Sequence, residues 1–78
     1  MTTSQESYRQ IKLKTCSYHI VHVCEHYQLF RVIDGKRNDK TDLTNKNIDA
    51  VIRYLSDAEM MHVEEIRSIY EKAETMAA

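Results

Sequence analysis

From Arg9 to Thr15 the chain alternates: Ile11, Leu13 and Thr15 fall on one side, Gln10, Lys12 and Lys14 on the other. That is the period of a half-buried strand. Tyr18 to Cys24 is rich in β-branched and aromatic residues, with Tyr18, Ile20 and Cys24 on one face and Val21 and Val23 on the other, a composition suited to a pleated surface. Leu29-Phe30-Arg31-Val32-Ile33 is a third run of β type, and it ends at Asp34-Gly35, which holds the only glycine of the chain and is a common reversal dipeptide. Lys36 to Asp42 is almost wholly polar, as in a solvated edge strand or an exposed loop. No Gly, Pro or Asn separates the first three runs, so Cys16-Ser17 and Glu25-His26-Tyr27 must turn unaided. The rival is all-α: Ile20, Val23, Cys24, Tyr27 and Phe30 also fall at helical spacing within one helix through about residues 5–32.

At Thr44 the period changes. Thr44 is placed as an N-cap, followed by Ile48, Val51, Ile52 and Leu55, the stripe of an amphipathic helix. Ser56-Asp57-Ala58-Glu59 has the form of a capping box and predicts a second helix starting there. Its stripe is Val63, Ile66, Ile69, Tyr70 and Ala73, with Glu64 and Arg67 spaced to pair on the outside. The expected fold is α+β: an antiparallel meander of two or three strands over residues 9–33, then helices over 45–55 and 57–75, both on one face of the sheet.

The totals narrow the function. A chain of 78 residues forms one small domain with a thin core; residues 1–7 read as a disordered lead-in and 8–78 as the domain. One glycine cannot build a phosphate-binding loop. The start of the chain has no apolar segment of a signal peptide and no apolar run spans a membrane, so the expectation is a cytoplasmic protein with reduced thiols. The net charge of −1 is a sum of unlike halves. Residues 1–46 carry eight Lys/Arg and five Asp/Glu, residues 47–78 three and seven.

Cys16, His19, His22, Cys24 and His26 are of the residue types that bind zinc. Their spacing matches no zinc pattern, and on a straight strand only His22, Cys24 and His26 lie near one another, so no metal site and no cofactor is assigned. A Cys–His nucleophile lacks an orienting group and an oxyanion site, and the chain reads as a non-enzyme. Two binding surfaces stand out. Tyr54, Met60 and Met61 fall off their helical stripes and are types favoured at protein contacts. Arg9, Lys12, Lys14 and Arg31, interleaved with Tyr8, Tyr18, Tyr27 and Phe30, suggest a sheet surface that stacks bases and meets phosphates, against which stand the acidic second helix and a pI near 6.4.

Leu43-Thr44-Asn45-Lys46-Asn47-Ile48, with Ile52, Leu55 and Ile66-Arg67, resembles the helical half of the small enterobacterial biofilm and two-component-connector regulators. The resemblance spans under half of the chain, and the β-rich first half departs from that all-helical family, so no functional residue is carried over. The resulting expectation is a small regulator or inhibitor, of the kind phages and accessory genomes encode, that binds another protein through Tyr54, Met60 and Met61. Homodimerisation is one way of completing its thin core. The alternative is a nucleic-acid-binding regulator using the basic N-terminal half. No membrane partner is expected.

Overall fold

The computed structural model describes residues 6–77. An antiparallel sheet is built from β1 (Ser7–Lys12), β2 (Ser17–Val23), β3 (His26–Ile33), β4 (Lys36–Arg37), β5 (Leu43–Asn45) and β6 (Met76–Ala77), with helices α1 (Ile48–Glu59) and α2 (Val63–Lys72) between β5 and β6. The strand order is β4-β3-β2-β1-β6, and β5 also pairs with β3. The α+β class and the two helices after the meander are as expected, and the all-α alternative is not adopted. The sheet has six strands instead of two or three. The extra ones are short edge pieces of two or three residues, held by pairing with the long strands, and so carry no periodicity of their own. Ser7 is the first residue of β1, Glu6 precedes it outside any strand, and residues 1–5 of the expected lead-in lie outside the described residues. Leu43-Thr44-Asn45 forms β5, so the resemblance to an all-helical family does not extend to this segment's structure.

The missing punctuation between the strands is supplied by strained backbone. β2 and β3 pair from Ser17↔Val32 to Val23↔His26, leaving a two-residue loop, Cys24-Glu25. Both residues have positive φ, 49° and 62°, as a type I′ hairpin turn requires. Asn-Gly is the usual sequence there, because a side chain in the left-handed region costs about 1 kcal/mol or more per residue. The β3–β4 turn uses Asp34-Gly35, with φ of 53° and 78°, and meets the same requirement with suited residues. Between β1 and β2 the Leu13 N–H donates to the Cys16 carbonyl at 3.0 Å.

Pairing fixes the faces. Ile11 lies opposite Tyr18 and Ile20 opposite Leu29, and these four side chains form the core with Leu13, Val51, Ile52, Leu55 and Ile66. Burying each such aliphatic side chain contributes roughly 1.5–3 kcal/mol. Val51, Ile52, Leu55 and Ile66 have no exposed surface at all, so both helical stripes face the sheet as their spacing predicts.

The helix boundaries differ from expectation. Thr44 is in β5, and the residue before α1 is Asn47. Ser56 does not start a helix: α1 continues to Glu59 and stops where Met60 turns left-handed, φ 55°. The two ends of the expected capping box have other partners. The Ser56 hydroxyl donates to the Met61 carbonyl, and the Glu59 carboxylate bonds to the sheet. Arg67 pairs with Asp49 of α1 at 2.8 Å instead of with Glu64.

Replacing Cys24 by Asn and Glu25 by Gly should therefore raise stability by about 1–2 kcal/mol, read as a higher urea midpoint at unchanged slope. A loss of stability would show that these two side chains hold the turn.

Candidate functional site

α1 and α2 cover the face bearing Ile11, Tyr18, Ile20 and Leu29. Among the described residues no element covers the other face. By the register of the strands that open face carries Tyr8, Gln10 and Lys12 of β1, Ser17, His19, Val21 and Val23 of β2, and His26, Gln28, Phe30 and Val32 of β3. Arg37 opposite Val32, Thr44 opposite Gln28 and Met76 opposite Tyr8 complete it. Val21 and Val32 are only 1% and 8% exposed without any helix above them; Tyr8 and Gln28 flank the first, Ser17 and Arg37 the second. No Asp or Glu occupies a strand position on this face. The acids of this half of the chain (Glu6, Glu25, Asp34, Asp39 and Asp42) lie outside the strands, Glu6 just before β1 and the others in turns and loops.

The centre of the face is a connected cluster. The Arg37 guanidinium lies 5.3 Å from the Tyr8 ring centre and 5.1 Å from that of Phe30, within reach of the negative ring faces. Tyr8 packs against His19 with ring centres 4.7 Å apart. Arg37 Nε donates to His19 Nδ1 at 3.0 Å, and His19 Nε2 is 2.9 Å from Gln10 Oε1. Arginine has no acceptor, so Nδ1 must be the bare nitrogen and Nε2–H the donor to Gln10. Burial and the neighbouring Arg37 charge both hold the His19 pKa below its usual value, which keeps this relay in its neutral form. Among the described residues the terminal nitrogens of Arg37 and the Lys12 ammonium have no hydrogen-bond or ion-pair partner.

The other bases are engaged. Arg9 shares its face with Ile11 and points towards α2: its guanidinium lies 4.5 Å from the Tyr70 ring centre and donates to the Tyr70 carbonyl at 2.9 Å and to Thr75 Oγ1 at 3.1 Å. Arg31 donates to Asp42 at 3.0 Å. Lys14 sits in the β1–β2 turn near the Met60 carbonyl, at 3.4 Å. Arg9, Lys12, Lys14 and Arg31 thus do not form one face. The parity of β1 separates Arg9 from Lys12, and the parity of β3 puts Arg31 with Leu29. Of the interleaved aromatics, Tyr8 and Phe30 are on the open face, while Tyr18 and Tyr27 are on the helix side. Arg37 is not one of the four bases expected to form that face, since the two-residue β4 has no pattern to read.

Tyr54, Met60 and Met61 also part company. Tyr54 is 37% exposed and Met60 84%, but their separation of six positions puts them roughly 120° apart around the helix axis. Met61 is half-buried and packs against the core. Met60 lies instead near the β1–β2 turn, at the end of the sheet where Ile33 is 55% exposed.

The Cys/His stretch is dispersed by the two-residue turn. His22 faces the helix side and stacks on Tyr27, ring centres 4.5 Å apart. His19 and His26 are on the open face, and His26 Nδ1 bonds to the Cys24 carbonyl. Among the described residues no three His, Cys, Asp or Glu side chains converge to hold a metal ion, and no helix is long and apolar enough to cross a membrane.

One buried carboxylate warrants a separate account. Glu59 is 3% exposed; it accepts the Thr15 N–H at 2.8 Å, the Thr15 hydroxyl, and the Tyr18 hydroxyl at 2.6 Å. Burial raises its pKa, but the hydrogen bonds from Thr15 and Tyr18 outweigh burial and hold it below the usual carboxylate value. Burial and the bond to Glu59 push the Tyr18 phenol well above its usual value. With its oxygens committed to the β1–β2 turn and β2, this group fastens α1 to the sheet and is not a free acid or base. No family model, curated protein or solved structure matches the chain.

Since the folded-state pKa of Glu59 lies below the unfolded one, its contribution is fully present above the ordinary carboxylate range, about pH 4, and is lost as pH falls below it. Glu59→Ala leaves the Tyr18 hydroxyl and the Thr15 N–H unpaired and should cost about 2–4 kcal/mol at pH 7. Glu59→Gln should narrow the gap to wild type as the pH is lowered, measured by urea unfolding between pH 7 and 3. A gap independent of pH would show that the carboxylate charge is not what the site holds.

Proposed function

We propose that the protein is a non-enzymatic nucleic-acid-binding protein and that its binding surface is the open face of the sheet. The observation that carries the reading is the composition of that face: two cations, Lys12 and Arg37, without a hydrogen-bond or ion-pair partner among the described residues, beside the half-buried rings of Tyr8 and Phe30, with no carboxylate on the same strand positions. Net charge does not argue against it. What an anionic partner meets is the local field, and the acids of α1 and α2 belong to elements on the opposite face of the sheet. The sheet is also a rigid platform, with both helices behind it. The non-enzymatic part of the reading is supported by Glu59, whose oxygens are all engaged, and by the dispersal of the Cys and His side chains.

A gel shift or fluorescence anisotropy titration with short DNA and RNA at 50 mM salt checks the proposal. Lys12→Gln/Arg37→Gln should bind at least tenfold more weakly than wild type and should lose the salt dependence that remains. Absence of binding to every nucleic acid, or a double variant that binds like wild type, would sink it.

A second reading, contact with another protein, has its own observation. Met60, in a left-handed conformation that favours glycine, is 84% exposed, and Ile33 is 55% exposed at the same end of the sheet. Exposing large apolar groups at a strained position serves no folding purpose visible in the core. The occupant this reading commits to is a second copy, which would complete a thin core. Sedimentation equilibrium should then report a dimer for the wild type and a monomer for Met60→Glu/Ile33→Glu; Met61 is left intact because it packs inside. A wild type that is monomeric throughout the concentration range overturns this reading.

A further inference from the structure

The helix side of the sheet is not closed at every point. Ser7, His22 and Tyr27 lie across from one another on β1, β2 and β3, near the β2–β3 turn. Beside them the chain leaves a cavity of about 240 Å³, whose lining includes Arg9, Ile20, His22, Tyr27 and Tyr70. We infer that this cavity binds a small organic monoanion, a carboxylate on an apolar body of about benzoate size. Arg9 meets the carboxylate, and the Tyr27 and Tyr70 hydroxyls donate to it. The cavity is on the opposite side of the sheet from Lys12 and Arg37, and it stands independently of the nucleic-acid reading.

The sign of the ligand follows from the lining. Among the described residues that line the cavity, none is acidic. Arg9 donates from Nε to Thr75 Oγ1 at 3.1 Å and from Nη1 to the Tyr70 carbonyl at 2.9 Å. Its Nη2 makes no hydrogen bond to a described residue, and neither do the Tyr27 and Tyr70 hydroxyls. No buried side-chain nitrogen or oxygen among the described residues lacks a partner, so these three groups are open to a ligand. A guanidinium can only donate, and a phenol donates through its O–H. Burial raises the Tyr70 pKa against the lowering effect of the Arg9 charge, which keeps that proton in place. Exposed His22 adds a ring N–H in either tautomer. A lining of donors without a carboxylate suits an acceptor that carries negative charge.

Charge number and size narrow the class. Arg9 is the only Lys or Arg among the described residues of the lining, and one guanidinium balances one negative charge. A carboxylate meets that condition; a phosphate dianion leaves one charge unmatched. Ile20 is 1% exposed and belongs to the core, so the cavity reaches down to apolar ground. A cavity of about 150 Å³ holds a benzene ring, which gives this one room for a ring and a carboxylate together.

The site is also held in advance. The Arg9 guanidinium lies 4.5 Å from the Tyr70 ring centre, and His22 stacks on Tyr27 with ring centres 4.5 Å apart. These pairs occupy one face of each tyrosine, so recognition rests on the polar hydrogens and not on stacking of the ligand. Side chains fixed by such contacts lose little further freedom on binding.

The test is an amide NMR titration of the full chain with benzoate, benzyl alcohol, acetate and phenyl phosphate at pH 8, where the last is a dianion. Benzoate should saturate with a Kd on the order of 1 mM, as suits so small a ligand, and its shifts should centre on Arg9, His22, Tyr27 and Tyr70. Benzyl alcohol, which lacks the charge, and acetate, which lacks the ring, should each bind at least tenfold more weakly. Phenyl phosphate should bind no more tightly than benzoate. Tyr27→Phe/Tyr70→Phe removes two hydroxyls that make no tie within the fold and should weaken benzoate binding about tenfold. Arg9→Gln should weaken it at least as much; it also cuts the ties to Tyr70 and Thr75, so the tyrosine double variant decides should this one fail to fold. Lys12→Gln/Arg37→Gln should bind benzoate like wild type. Absence of shifts at the cavity, benzyl alcohol that binds as well as benzoate, or a tyrosine double variant that binds like wild type overturns the site. Acetate equal to benzoate overturns the apolar body, and tighter binding of phenyl phosphate overturns the carboxylate assignment.

Discussion

The carboxylate of Glu59 accepts hydrogen bonds from the Thr15 backbone and hydroxyl and from the Tyr18 hydroxyl, joining the last turn of α1 to the β1–β2 turn and to the centre of β2. In so small a chain the apolar core has nine buried residues, and this polar tie sets the register in which α1 lies on the sheet. Its consequences run both ways along the chain. Because Glu59 is held inward, α1 continues past Ser56, and the chain leaves the helix at Met60 through a left-handed residue. The Ser56 hydroxyl and carbonyl then bond to Met61 and fix the corner, which aims α2 across β1. Arg9 closes the arrangement from the other side, joining β1 to the end of α2 through Tyr70 and to the last segment of the chain through Thr75.

With both helices fastened to one side, the other side of the sheet is left to solvent, and its chemistry is set by parity. Every second residue of β1, β2 and β3 reaches that face, and none of them is acidic. The chain thus separates its charges in space more sharply than along the sequence. The carboxylates lie in helices, turns and loops; among the bases of the first half, Arg9 and Arg31 make ties within the fold while Lys12 and Arg37 reach the open face, and the aromatic residues of the strands divide between the two faces as well. A neutral total is compatible with a face that carries positive charge alone.

His19 and Arg37 belong to one network, so the open face is organised within the folded chain itself. The Arg37 side chain is long and mobile in isolation, and ordering it costs conformational entropy. Its contacts with His19, Tyr8 and Phe30 offset that cost within the folded protein, so the proposed binding would have less of it to overcome.

Much of the fold was legible in the sequence because the physics that forms it is local and periodic. Alternation in Arg9 to Thr15 and the β-branched run in Tyr18 to Cys24 announced strands, and the stripes from Ile48 to Leu55 and from Val63 to Ala73 announced helices that bury one side. The α+β class followed. What tertiary structure alone decided are the features without a period. A two-residue turn at Cys24-Glu25 has no turn chemistry to read and exists because β2 and β3 pair strongly enough to hold it. The edge strands β4, β5 and β6 are too short to show a pattern. Ser56 and Glu59 have the local form of a cap, yet bonds to Met61 and across the fold to Thr15 and Tyr18 outweigh it. The candidate binding residues divide along the same line. The sequence could name the basic and aromatic types and Lys12 among them. Only strand pairing could put Arg9 and Arg31 on the helix side and set Arg37 near both Tyr8 and Phe30, because which side chains share a face depends on register, and register is a property of two strands together.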